Sequence, residues 1–404
     1  MFKLQLPSFI RYGLALLSVC APLTTAYSAE PKPVDRPLIL AHYMPWYAAK
    51  PVSKIWGWHW TMNGFDPERL KDSKRSIASH YYPLIGPYDS GDPVVVEYHL
   101  LLMKLSGIDG VIVDWYGRTD HLDFAALHRN TALLINTATK LGLKYTVCYE
   151  DQTIPKLVGA RKLAPADRVK HARGEIEWLQ KNWFAEPNYV RIDGKPLLLS
   201  FGSDGLTDKE WEEVFRGLPK PPVYASEHRR RSAASGAFDW PIPKEYPSSL
   251  DRFYKQLPHF RPTIPVAFPR FHDIYEEGKA QKSHGRIKDD DGRTWATTLE
   301  RAIKSKAPLV QLATWNDWGE GTGIEPTEEF GYRDLEVVQK LRSELVEKGF
   351  GRKPADLRFP LRLYQLRQSQ ARRPELKPDL DVVAAHLAKE SVTEAKVALE
   401  RLEK

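Results

Sequence analysis

The chain has 404 residues, 42% hydrophobic and 27% charged, with no long low-complexity tract, which excludes a disordered or fibrous protein and allows a large core. Its formal net charge of +7 comes from scattered Lys and Arg, with short clusters such as Arg229-Arg230-Arg231. A nucleic-acid binder would need them concentrated in one stripe, so no nucleic-acid partner is expected.

In chain order, residues 1–29 read as a secretory signal. Lys3 and Arg11 precede the apolar stretch Tyr12–Cys20, and small residues follow as far as Ala29. The stretch is too short for a membrane span, so the expectation is a secreted or periplasmic protein without stable membrane insertion. Val19 stands where an acylation site needs a small residue, so lipoprotein anchoring at Cys20 is not expected. Removal of Cys20 leaves Cys148 alone, inside an apolar run, as a buried and inert thiol.

From residue 35 to 350, short apolar runs alternate with amphipathic stretches. The strand-like runs are Leu38–Tyr43, Gly110–Trp115, Lys144–Tyr149, Pro196–Phe201, Pro222–Ser226, Gly236–Trp240, Pro265–Phe268 and Leu309–Thr314, the sixth being the weakest. Helical periodicity lies between them at Val94–Leu105, Phe124–Leu141, Pro165–Asn182, Asp208–Arg216, Ser248–Gln256 and Thr294–Lys304, with Gly107 and Gly142 placed as C-terminal caps. Such alternation means parallel βαβ units. This number of units in one stretch predicts an α/β fold of the (β/α)8 TIM-barrel class. No Gly-x-Gly-x-x-Gly turn follows the first strand, which weighs against a dinucleotide-binding sheet. Residues 351–404 are broken by prolines and end in a charged helical pair over Asp379–Glu403, a helical C-terminal extension.

The active site of such a barrel lies at the C-terminal ends of its strands, and there this sequence places polar and aromatic groups. The first strand ends in His42, Tyr43, Trp46 and Tyr47, the second in Asp114 and Trp115. The third ends in Glu150, the fifth in Glu227, and the seventh is followed by Arg270. The last runs into Trp315-Asn316-Asp317-Trp318-Gly319-Glu320. Trp58 stands in the long first loop with Trp56 and Trp60, and indole faces of this kind stack on sugar rings. Asp317 and Glu320, three apart and flanked by Gly319 and Gly321, supply the two carboxyls that glycosidic hydrolysis needs, one to donate a proton and one to act as base or nucleophile. The same spacing also fits a solvated acidic loop. No His-Glu-x-x-His, zinc-spaced Cys/His cluster, phosphate loop or Gly-x-Ser-x-Gly elbow occurs, so no metal and no cofactor is expected.

The segment Thr314–Pro326 resembles the end-of-barrel motif of glycoside hydrolase families 71 and 99. Its Trp-Asn-Asp-aromatic-Gly-Glu core is similar to family 71, the α-1,3-glucanases, and its Glu-Gly-Thr-x-Ile-Glu tail to family 99, the endo-α-mannosidases. Ala41-His42-Tyr43-Met44 is similar to family 71 and Tyr43-Met44-Pro45-Trp46-Tyr47 to family 99, and Asp193-Gly194-Lys195-Pro196 belongs to the same pattern. The resemblance implies an α-glycan hydrolase acting on a poly- or oligosaccharide, with Asp317 and Glu320 as the catalytic pair and Glu150 near the substrate. Family 99 has Glu where this chain has Asp317, and His where it has Gly319, which favours an inverting scheme with Glu320 as acid and Asp317 as base. A non-catalytic glycan-binding barrel and a polysaccharide-assembly enzyme are the alternatives. The sequence does not fix the oligomeric state.

Overall fold

The architecture is that of a computed structural model, which describes residues 36–202, 204–369 and 373–403. The segment expected to be a signal, residues 1–29, and Cys20 within it lie outside the described residues. Eight parallel strands form the barrel: β1 (Leu38–Tyr43), β2 (Gly110–Trp115), β3 (Lys144–Tyr149), β4 (Lys195–Ser200), β5 (Val223–Glu227), β6 (Gly236–Phe238), β7 and β8 (Leu309–Leu312). β7 is two short pieces, Thr263–Ile264 and Val266–Ala267, separated by Pro265. The first piece pairs with β6 and the second with β8, so the ring closes across this proline. Its ring nitrogen has no hydrogen to donate, while its carbonyl accepts from Gln311 N at 3.0 Å. The fold class is therefore the (β/α)8 barrel expected from the sequence, and the short sixth strand is real.

Each strand is buried on both faces, which is why these runs are almost continuously apolar. Alternate side chains go to two different places. Leu40, Ile112, Cys148, Leu199, Ala225 and Phe238 fill the barrel, whereas Ala41, Val113, Tyr145, Leu198, Tyr224 and Val310 face the helices.

The helical layer comprises α1 (Pro93–Ser106), α2 (Phe124–Lys140), α3 (Thr153–Gly159), α4 (Arg168–Asn182), α5 (Asp208–Arg216), α6 (Ser248–Tyr254), α7 (Arg293–Lys304) and α8 (Arg333–Leu341). α1 begins where Asp92 accepts from Val94 N at 2.8 Å and stops at Gly107, φ 86°. Gly142, just past α2, has φ 73°. Three further helices, α9 (Phe359–Ser369), α10 (Lys377–Ala388) and α11 (Val392–Leu402), follow. Leu363, Leu380, Val383, Leu387 and Leu399 join the same apolar cluster as α1, so the C-terminal helices share the barrel's outer core. Arg367 ties α9 to Glu97 of α1 with nitrogen–oxygen distances of 2.9 and 3.0 Å. No helix among the described residues is long and apolar enough to cross a membrane.

Candidate active site

The segment after β8 is a loop tied to itself. Thr314 N donates to Thr322 O at 3.1 Å, and Asp317 N donates to Thr314 Oγ1 at 2.7 Å. Asp317 Oδ1 accepts from Glu320 N at 2.9 Å. Gly321 turns the chain at φ 65°, and a Cβ there would lie 2.5 Å from the carbonyl oxygen of His272. Only glycine fits this turn.

The loop is also fastened to its neighbours. The Asn316 amide brackets Met44, accepting from its N at 2.8 Å and donating to its O at 3.0 Å. Tyr47 Oη donates to Asn316 O at 2.9 Å and accepts from Trp318 N at 3.0 Å. Tyr88 Oη donates to Glu325 at 2.7 Å and accepts from Asn316 Nδ2 and Trp318 Nε1, both at 3.1 Å. Glu325 lies 3.1 Å from His99, which meets Tyr43 Oη at 2.9 Å. Arg270 is buried and spends its guanidinium on Asp289, Asp334 and the carbonyl of Gly323, with its charge 3.9 Å from the Phe330 ring centre.

This brace holds Asp317 and Glu320 at the mouth of the barrel. Burial raises the Asp317 carboxyl to about 6, against the backbone N–H groups of Glu320 and Gly319, which lower it. Burial first, and the Asp317 charge second, hold Glu320 well above the ordinary carboxyl range. Trp240 Nε1 donates to Glu320 Oε2 at 3.3 Å. The Tyr275 hydroxyl is likewise pushed up, by burial and then by Glu320 and Asp317. Opposite them, Asp114 is raised to about 8 by burial and then by Asp317, and Glu150 is raised by burial and then by Asp114. Lys156 of α3 is the cation that pulls both back down.

Beside the carboxylates a cavity of about 1040 Å3 is lined by Trp46, Trp56, Trp58, His59, Tyr116 and Lys156, among others. Trp46 stacks on His59, centres 4.1 Å apart and planes 9° apart, and Trp58 meets the same imidazole edge-on at 5.1 Å. Burial lowers His59 to about 3, so the ring is neutral and the stack is aromatic in character. The Trp46 indole N–H has no hydrogen-bond partner. Trp58 is 47% exposed, and Val52, Ile55 and Leu122, also exposed, line the same cavity.

Not every residue expected at the rim reaches it. Tyr43 and Trp115 fall on the outward parity of their strands and pack in the helical layer, where the Trp115 indole donates to His128 Nδ1 at 3.2 Å. Trp315 is fully buried against His99. Arg270, Asn316 and Trp318 are buried in the brace, and Tyr47, whose hydroxyl joins the brace, also lines the cavity. His42 points into the barrel floor, and Glu227 accepts from Gly202 N at 3.0 Å. Asp114, Glu150, Asp317 and Glu320 converge, with Trp46 and Trp58 in the adjoining cavity.

Conversely, Trp240, Tyr275 and Lys156 were not among the residues expected at the site, while Tyr116, beside Trp115 at the end of β2, lines the cavity. Trp240 continues the inward parity of Phe238 and could have been found that way. Lys156 and Tyr275 sit on segments beyond the strand ends, where no periodicity points. Among the described residues one group offers metal-ligand donors in close array, His42, Asp114 and Cys148.

The sequence model of glycosyl hydrolase family 99 matches residues 36–228. A Danio rerio glycoprotein endo-alpha-1,2-mannosidase-like protein is 24% identical over 64% of this chain and 62% of its own length. The chain thus spans less than two thirds of that relative. The Rattus norvegicus glycoprotein endo-alpha-1,2-mannosidase is 22% identical over 76% of this chain and 72% of its own. The solved GH99 endo-alpha-mannosidase from Bacteroides thetaiotaomicron superposes with a TM-score of 0.58 at 20% identity, covering 76% of this chain and 95% of that one. The chain thus resembles glycoside hydrolase family 99 over the first half of its barrel. These matches fall on the family 99 side of that resemblance. The matched residues carry β1 to β5, with Asp114, Glu150 and Glu227, and the Asp317–Glu320 loop lies beyond them.

Proposed function

We propose that the protein hydrolyses α-linked glycans of the α-mannan or α-glucan type outside the cytoplasm, with Glu320 as general acid and Asp317 as general base. The observation that carries this is the split environment of the two carboxyls on one braced loop. Burial and the Asp317 charge push Glu320 well above the ordinary carboxyl range, whereas Asp317, raised by burial, is held to about 6 by two backbone N–H groups. Two carboxyls pushed apart in this way are suited to acid and base roles. The indole of Trp240 on Glu320 Oε2 leaves the other oxygen to carry the proton towards the glycosidic oxygen. The relatives' names supply the mannosidase half of the proposal, and Asp317 is one methylene shorter than the Glu that family 99 carries at this position.

The shorter side chain favours inversion, which requires carboxyls roughly 6.5–9.5 Å apart to admit the attacking water. The test is the anomeric configuration of the first product, followed by NMR on a panel of α-mannans and α-glucans. Inverted product supports the scheme, and retained product overturns the assignment of Asp317 as base to water. Failure to cleave any α-glycan while still binding one would leave a glycan-binding barrel instead.

A further inference from the structure

We infer that His42, Asp114 and Cys148 form a binding site for a divalent cation of the zinc class on the barrel floor. The site shares Asp114 with the carboxylate cluster described above, but its test reads metal binding and not hydrolysis. A ring nitrogen of His42, a carboxylate oxygen of Asp114 and the Cys148 sulfur all lie within 4.8 Å of one another, and all three residues are buried. Asp114 and Cys148 are register partners across β2 and β3, and His42 faces them from β1.

The tautomer of His42 is set by its surroundings. Gln311 Nε2 donates to Asp239 O at 2.9 Å, so the amide turns its oxygen towards His42 Nδ1, 3.3 Å away. Nδ1 must then carry the hydrogen, and Nε2 is a bare lone pair. Nε2 has no hydrogen-bond partner and the residue has no solvent exposure. A metal-bound histidine has this arrangement, donating its other N–H to a carbonyl oxygen that fixes ring and tautomer. Asp114 Oδ1 is also without a partner, in a residue 3% exposed. Two unpartnered polar atoms in one dry place are costly unless something binds them both.

The donor types select the occupant. One imidazole, one carboxylate and one thiolate suit zinc-like ions, whereas calcium and magnesium take oxygen ligands. Zinc bonds of about 2.0–2.3 Å put tetrahedral donors roughly 3.5 Å apart, so the three side chains need to close in by about an ångström. Binding displaces the proton of the thiol and that of the carboxyl, and the two anions then balance the dication. Three protein ligands leave a fourth position for water.

The experiment titrates Co2+, then Zn2+, into the full chain after chelator dialysis. Expected are one Co2+ per chain with tetrahedral visible bands and a thiolate-to-cobalt charge-transfer band, both bleached by Zn2+. The charge-transfer band should vanish in Cys148→Ser and survive Cys20→Ser, and binding should be lost in His42→Ala. Gln311→Leu, which removes only the partner of Nδ1, should weaken binding by about 10- to 100-fold. Cys148→Ser is nearly isosteric, and its circular dichroism checks folding. Absence of the charge-transfer band in the wild type, or its persistence in Cys148→Ser, overturns the site.

Discussion

In the proposed roles, Glu320 keeps its proton at neutral pH, while Asp317 a few residues earlier gives its own up. Burial opposes the second requirement, and the N–H groups of Gly319 and Glu320 partly offset it. The proposed roles predict a bell-shaped dependence of kcat/KM on pH. Asp317 is the base only when ionised, so activity should fall as pH drops through about 6. Glu320 is the acid only when protonated, and its raised value puts the alkaline limb well above the ordinary carboxyl range. Glu320→Gln should lower kcat by about 10²- to 10⁴-fold and flatten the alkaline limb, with little change in KM. Trp58 is exposed and makes few demands on the fold. Trp58→Ala should therefore raise KM by roughly three- to tenfold, the worth of one aromatic stacking contact, and leave the melting temperature unchanged.

At the scale of elements, the loop after β8 acts as one piece. Gly321→Ala adds a Cβ at positive φ against the His272 carbonyl and should cost about 1–3 kcal/mol, read as a lower denaturant midpoint. The strands were legible in the sequence because both faces are buried and the runs are apolar throughout. That same property hid which face each residue takes. Tyr43, Trp115 and Trp315 look like rim aromatics in the sequence and lie in the helical layer. Asp114, Glu150 and Glu227 differ from them only by one position of parity, and counting from the apolar interior residues would have sorted them. The brace of Asn316, Tyr88, Glu325 and His99 joins three separate stretches of chain, and no local pattern announces it. The His42, Asp114 and Cys148 group is invisible for the same reason, its spacing being set by neighbouring strands rather than by a motif.

At the scale of the whole molecule, the ring of strands and the terminal helices are one body of packed side chains. Leu380 sits at the junction and is fully buried. Leu380→Ala should destabilise the protein by about 2–5 kcal/mol, and a single cooperative melt should report it. Two separate transitions, with the barrel unaffected, would show that α9 to α11 are an appendage after all.

The pairing of β1 with β8 has a consequence for synthesis. The first strand leaves the ribosome long before its neighbour on one side exists, and it waits through β2 to β7. The outer core waits longer still, for residues near the C-terminus. Neither the ring nor its outer core can therefore be completed until nearly all of the chain has been made.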